Sequence, residues 1–357
     1  MAIVQAFPHR SRSTRRTNTA PPALRALPDP PAVVKAGFAM APTVFHEPWL
    51  LEITSRGAFQ LAQVHDGGRL VGLLPYTLSR RHGLRVSVMP QLTHVLGPAI
   101  DEGGGSSNTR WLRRLGILDE LLSKLPRVAL FSQTCHPYTA DVLGFQGRGF
   151  DTAVQFTAEI NPLPPEALWK GMRDKTRNVI RRTEGRATVT VGQDPAEFRS
   201  FYGANLANTG KREYFELDSI VPLHQAAQAR DQGQILEIRT AEGRLAAAAF
   251  FVWDAQRMWY LLSTRDPKQA DNGAVSCLIW HGMQEASRRG LVFDFDGVSS
   301  TGSARFFAGF GAHLKPRFIV HRTSPFYAFG KSLGVLLRGW SNRNHFTAPC
   351  MLGLVNF

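Results

Sequence analysis

The second half of this chain repeats the layout of the first, and that repeat constrains the fold more than any single motif. The first half predicts three short strands, Phe59–Val64, Leu70–Leu78 and Leu84–Met89, joined by His65-Asp66-Gly67-Gly68 and Arg80-Arg81-His82-Gly83 turns. The second predicts Gln234–Thr240, Leu245–Trp253 and Met258–Thr264, with turns at Ala241-Glu242-Gly243 and Asp254-Ala255-Gln256. Gly68-Arg69-Leu70 is answered by Gly243-Arg244-Leu245. After each meander come a helical stretch (Trp111–Leu125; Ala274–Arg289), an apolar strand (Val128–Ser132; Leu291–Asp296), a short helix ending in Gly-Phe (Ala140–Phe145; Ala304–Phe310) and a last strand (Phe150–Ile160; Pro316–Arg322). Order and spacing persist through each half, as expected of a duplicated unit.

A chain of 357 residues has room for two ordinary domains, and 43% apolar with 20% charged residues is a globular composition. The predicted organisation is a basic, disordered tail over 1–40, a first domain over 41–160, a second over 161–323 and an extension over 324–357. The division falls at Asn161-Pro162-Leu163-Pro164-Pro165, where prolines disfavour helix and strand alike. No apolar run is long enough for a bilayer span, and the basic start lacks the apolar stretch of a secretory signal. Cys135, Cys277 and Cys350 show neither disulfide nor metal-ligand spacing, so no metal is expected and a reducing, cytoplasmic setting is.

The net charge of +14 is partly concentrated. Residues 1–40 hold six basic residues and one acid, and residues 170–186 hold seven and two. The first cluster reads as a solvated tail or as an arm for peripheral membrane or nucleic-acid association. The second lies on a predicted helix, Glu166–Glu184, with Leu168, Met172, Val179 and Ile180 on one side. Arg173, Arg177 and Arg181 then follow one another at i, i+4. Like charges so spaced repel, so the stripe suits phosphates or carboxylates; the plainer reading is a solvated face eased by Asp174 and Glu184.

Thr264–Gly273 leaves a strand and enters the helix that begins at Ala274. Free N–H groups there can seat a phosphate, with Arg265 and Lys268 adding charge; a plain loop capped by Asp271 or Asn272 is the alternative. In Leu291–Gly297, strict alternation sets Phe293 and Phe295 on one face and Asp294 and Asp296 on the other. Two carboxylates at a strand end can accept a proton from an attacking amine, or can anchor the backbone of Ser299–Thr301. His136 and Asp141 match the spacing used by glycerolipid acyltransferases without their other blocks. Arg182-Thr183-Glu184-Gly185-Arg186-Ala187 matches a coenzyme A pyrophosphate pattern but closes a helix where that motif opens one. Cys277 reads as core packing. Nucleophile-elbow, P-loop, dinucleotide and RNA-binding signatures are missing from the sequence.

Taken in order, several blocks resemble the FemAB-like branch of the GNAT acyltransferase superfamily, which includes bacterial acetyltransferase-like proteins linked to polysaccharide or envelope synthesis. In the second half they are Lys175–Arg182, Asn208–Tyr214, Leu278–Met283 with Arg289-Gly290, Phe293–Gly297 and Phe306–Gly311. In the first they are Phe45–Trp49, Leu74-Pro75 and Pro90–Pro98. The resemblance implies an α/β (α+β) fold of two tandem GNAT-like domains, each a mixed, mostly antiparallel sheet flanked by helices. It also implies acyl or aminoacyl transfer to an amine of an amino sugar or cell-envelope precursor, without metal. The donor is acyl-CoA or, since the loop lacks the glycine-rich pyrophosphate signature, aminoacyl-tRNA. Carried over, Ser263, Arg265, Lys268, Asn272 and Gly273 face the donor; Arg177 and Arg181 bind anions; Lys211 and Tyr214 meet the acceptor; Asp294 or Asp296 assists proton removal. A catalytically degenerate pair that only holds an anionic ligand or partner is the competing expectation.

Overall fold

The computed structural model describes residues 40–81, 83–208, 215–268 and 273–328. The basic tail, the bulk of the C-terminal extension, Lys211, Tyr214, Asp271 and Asn272 lie outside them.

Helix α1 (Pro48–Ser55) precedes the hairpin of β1 (Phe59–Asp66) and β2 (Arg69–Thr77), followed by β3 (Ser79–Arg81), β4 (Leu84–Ser87) and β5 (Ala99–Ile100). Helix α2 (Ser107–Ser123), strand β6 (Leu130–Thr134), helix α3 (Leu143–Gly147) and strand β7 (Asp151–Ile160) complete the first half. After the proline-rich link come α4 (Pro165–Gly171), α5 (Asp174–Glu184), β8 (Val189–Val191), α6 (Pro195–Asn208) and α7 (Ile220–Gln228). The second meander is β9 (Gly233–Arg239), β10 (Leu245–Trp253) and β11 (Arg257–Arg265). It leads into α8 (Ala274–Arg288), β12 (Val292–Gly297), α9 (Thr301–Gly309) and β13 (His313–Thr323).

Local chemistry sets these boundaries. Gly67 and Gly68 adopt φ of 57° and 81° in the β1–β2 turn, a region closed to most side chains. Helix α2 starts earlier than its apolar pattern predicts because the Ser106 hydroxyl accepts the Thr109 N–H at 3.2 Å, and Ile117, Leu118, Leu121 and Leu122 then turn inward. Asp194 caps α6, accepting N–H bonds from Ala196 and Glu197 at 2.8 and 3.2 Å. Strand β10 is buried along its whole length, which explains its unbroken apolar run.

The described strands form two sheets. One is β1-β2-β5; the other runs β3-β4-β6-β13-β7-β12-β11-β10-β9-β8. Pairings are antiparallel except β4 with β6 and β11 with β12. The two last strands are exchanged: β7, from the first half, pairs with β12, and β13, from the second, pairs with β6. They meet each other in the middle, from His313 opposite Glu159 to His321 opposite Asp151. A shared core closes the other connection, where Val44, Phe45, Leu50 and Leu51 pack with Leu223, Phe250 and Trp259. No helix among the described residues is long and apolar enough to cross a membrane.

Three expectations need correction. Residues 166–184 are two helices, because Met172 and Arg173 are extended, Met172 enters the core, and the Arg173 N–H donates to Gly309 O at 2.9 Å. Arg173 therefore leaves the basic stripe, while Arg177 and Arg181 remain one turn apart on α5. The first meander is also not a copy of the second, since its hairpin leaves the main sheet. Finally, the regular ladder expected for 291–297 slips by one residue at Asp296, although Asp294 and Asp296 both meet Arg317 and Phe293 and Phe295 share the core, as the alternation predicts.

Candidate functional site

The parallel pair β11/β12 is short. Its register covers Arg257 opposite Val292, Met258 opposite Phe293 and Trp259 opposite Asp294. Beyond that the two strands no longer pair with each other, and the gap between the rest of β11 and the end of β12 is termed the slot. Both strands carry irregularities there. On β11 the register against β10 shifts between Phe250 and Phe251, which adds Leu261 as an extra residue. On β12 the register against β7 shifts between Asp294 and Gly297, and within that shift Asp296 has φ 70°. An aspartate tolerates this left-handed conformation better than most residues, at a cost of about 1–3 kcal/mol. Bulges of this kind re-aim side chains. Here the Asp296 N–H donates to Asp294 Oδ1 at 2.8 Å, and Thr157 Oγ1 lies 2.6 Å from that oxygen and 2.7 Å from Asp296 O.

Charged side chains fill the base of the slot. Arg317 donates from Nη2 to both oxygens of Asp294 at 2.7 and 2.8 Å, and Arg257 donates to Asp294 Oδ2 at 2.8 Å and to Glu159 Oε2 at 2.7 Å. Arg317 Nη1 reaches Asp296 Oδ1 at 3.3 Å. Both guanidiniums lie over the Trp259 ring, 5.4 Å (Arg257) and 5.2 Å (Arg317) from its centroid. The Asp294 and Arg317 side chains are 0% and 1% exposed. Burial pushes the Asp294 carboxyl up, but Arg317 and then Arg257 outweigh it and hold it below its ordinary range. An ionised carboxylate with both oxygens engaged is a holder of arginines and a poor proton acceptor. Nor do the two aspartates anchor the next loop: the Ser300 N–H donates to Ser303 Oγ at 3.0 Å inside a capping box.

Asp296 is placed differently. Its side chain is 10% exposed, and Oδ1 lies 3.3 Å from His94 Nδ1, without hydrogen-bond alignment. His94 comes from the first half. Its ring leans on Phe45 (centroids 5.1 Å apart) and Trp259 (6.3 Å). Burial holds its pKa below the ordinary value, partly offset by Asp296, so the imidazole is neutral at pH 7.

The loop that carries His94 also occupies the matching gap in its own half. There the parallel pair β4/β6 ends after Val86 opposite Leu130 and Ser87 opposite Phe131. The main chain of Leu96 then slips in beside β6, its N–H donating to Thr134 O and its carbonyl accepting from His136 N, both at 2.7 Å. A Cβ on Gly97 would stand 3.2 Å from Cys135 Cα. His46 Nε2 lies 3.2 Å from Gly97 O and His136 Nε2 lies 2.8 Å from Pro98 O, so both rings serve the loop. His136 is thus remote in role from Asp141, which accepts from Arg114 at 2.5 Å.

The other nominated residues are dispersed. Ser263, bonded to the Tyr260 hydroxyl, and Arg265 lie on β11, and Gly273 is the N-cap of α8. Lys268 is exposed in the turn after β11, its N–H donating to Asp266 Oδ1 at 2.8 Å. Arg177 pairs with Asp174 and donates to Lys170 O at 3.2 Å, closing the C-terminus of α4. Arg181 stacks over Trp169 at 5.2 Å. The residues that sequence reasoning missed are Arg257, Arg317, Glu159, Thr157 and His94. The one usable signal was an arginine inside the apolar strand around Phe318–Val320.

Residues 170–307 match the acetyltransferase (GNAT) domain. No curated protein matches the chain in sequence. Among solved structures, the crystal structure of FemX is similar at TM-score 0.59 and 11% identity, covering 76% of this chain and 90% of that one. The C-terminal domain of a putative lysylphosphatidylglycerol synthetase from Agrobacterium fabrum is similar at TM-score 0.51 and 14% identity, covering 81% and 95%. The structure of L-PGS from Bacillus licheniformis gives TM-score 0.50 and 15% identity, covering 81% and 91%. Residues 170–307 thus match a GNAT acetyltransferase domain, and the chain shares the fold of the FemX structure.

Proposed function

We propose that this chain transfers an acyl or aminoacyl group to an amine by direct attack within a ternary complex seated in the β11/β12 slot. Residues 161–323 supply most of the site and residues 41–160 complete it. The observation that carries this reading is His94 of one half standing beside Asp296 of the other, next to the strained turn of β12. A neutral imidazole can take the proton that an attacking amine must lose, and Asp296 steadies the imidazolium that forms. The present lack of alignment is of the kind that tightens when substrate binds. Asp296 keeps its nominated role in proton removal; Asp294 becomes the residue that fixes Arg257 and Arg317.

For the donor, the edge of β11 from Tyr260 to Thr264, which β12 does not pair, offers main-chain groups to an extended, amide-bearing arm. The first turn of α8, from Ala274 onward, offers N–H groups to a phosphate. These features suit an acyl-CoA thioester; aminoacyl-tRNA is the second donor worth testing. The acceptor class we favour is an amino sugar or envelope precursor.

The test incubates the full chain with radiolabelled acetyl-CoA, or with aminoacyl-tRNA, together with amino-sugar acceptors. Label should move to the amine, and His94→Gln should lower kcat by at least about a hundredfold while KM for the donor holds. Donor binding with no transfer to any amine would favour the competing expectation of a binding module. Transfer unaffected by His94→Gln would remove His94 from the chemistry and leave the acyltransferase reading standing.

A further inference from the structure

Helices α5 and α8 bring together three side chains of the kinds that hold transition metals. Glu184 is the last residue of α5; Cys277 and His281 are one turn apart on α8. One donor atom from each, a carboxylate oxygen, the thiol sulfur and an imidazole nitrogen, lie within 4.8 Å of one another. His281 Nε2 lies 3.5 Å from Glu184 Oε1. We propose that this cluster binds a zinc-type divalent cation that ties α5 to α8.

Geometry supports the proposal first. Zinc bonds of roughly 2.0–2.3 Å in a tetrahedral arrangement set donor atoms about 3.3–3.8 Å apart. The carboxylate–imidazole pair already has that spacing, and the remaining adjustment is on the scale of a side-chain rotation. Donor chemistry supports it next. One sulfur, one nitrogen and one oxygen exclude calcium and magnesium, which take oxygen, and suit zinc, with water completing a four-ligand shell. The order of burial also fits: Cys277 is 0% exposed, while the His281 and Glu184 side chains are 35% and 39% exposed, so an ion can enter from solvent and settle on the sulfur. Arg181 and Arg182 on the last turn of α5 work against a dication, and the carboxylate and thiolate charges offset them. The plainer arrangement is a core cysteine beneath a surface ion pair, and the experiment separates the two.

The full-length chain, stripped with chelator, would be titrated with Co2+ while the charge-transfer absorption of a cobalt-bound thiolate is followed. Zn2+ uptake would be measured by competition with a chromophoric chelator. One ion per chain is expected. The cobalt band should vanish in Cys277→Ser, and zinc affinity should fall at least about tenfold in Glu184→Gln and His281→Gln, the loss that even an outer partner of a ligand causes. Glu184 is at the surface, so its variant keeps the fold and tests the site by itself. A missing cobalt band at saturation, a band that survives Cys277→Ser, or unchanged affinity in Glu184→Gln and His281→Gln would overturn the proposal. None of these readouts depends on the acyl-transfer activity.

Discussion

Between β4 and β6 the parallel pairing lasts for two residue pairs, and between β11 and β12 for three; past those points both pairs of strands splay. In the first half the chain closes its own gap, laying Leu96 beside β6 with two 2.7 Å main-chain bonds. In the second half the corresponding gap is floored with Arg257, Arg317 and Asp294 and edged by a strained Asp296. An unpaired strand edge in the interior must bond to something. One half uses its own backbone, which yields a scaffold; in the other, the proposed function gives that edge to a bound substrate. The plugging loop serves both, because the segment that fills one gap delivers His94 to the other.

The largest effect should come from breaking the charged floor. Arg317→Met leaves Asp294 with one guanidinium and Asp296 with none, and losing one partner of a buried pair costs about 3–5 kcal/mol. Chemical denaturation should show that loss; a variant within 1 kcal/mol of the parent would mean the network is slack.

Acid should then loosen the plug. Burial pulls the pKa of His136 from 6.5 to about 4, and His46 moves the same way through burial and then the nearby His136. Below pH 6.5 the unfolded chain takes up protons that the folded chain refuses. Stability is therefore full above that value and falls as pH drops toward about 4, by about 1.4 kcal/mol per unit for each ring, or about 3 kcal/mol for His136 alone. Denaturation between pH 7 and 4.5 measures the slope, and His136→Gln should flatten it. An unchanged slope would show that neither ring is held neutral.

The smallest effect tests the fit of the loop against β6. Gly97 has φ 98°, and a Cβ there would press on Cys135 at 3.2 Å. Gly97→Ala should cost about 1–3 kcal/mol. If the loop also positions His94, the same variant should lower transferase activity more than stability alone explains.

The repeat, the element types and the GNAT resemblance were legible because period-two strands, capped helices and glycine turns are local signals. What escaped was non-local or irregular. The exchange of β7 and β13 depends on pairings such as Thr134 with Ile319, which no window of sequence contains. The break at Met172–Arg173 was hidden because Met172 has the right spacing for a helix and is buried for a different reason. Asp294 and Asp296 were visible as carboxylates, yet their division of labour was not. It follows from arginines far off in the chain and from a one-residue bulge that gives Asp296 a left-handed backbone. Arg257 fell between the predicted Asp254–Gln256 turn and the strand from Met258, although it is 5% exposed and bonds Glu159 across the sheet.

The crossing of the two final strands has a consequence for how such a chain is made. Strand β6 keeps an open edge until β13 arrives, so the first half, though synthesised first, stays unfinished on the ribosome until about residue 323 has emerged. Contacts that distant slow folding and leave a sticky edge waiting. Cutting the polypeptide at its proline-rich link would therefore give two fragments that each lack a central strand, and that recover a sheet only by finding one another.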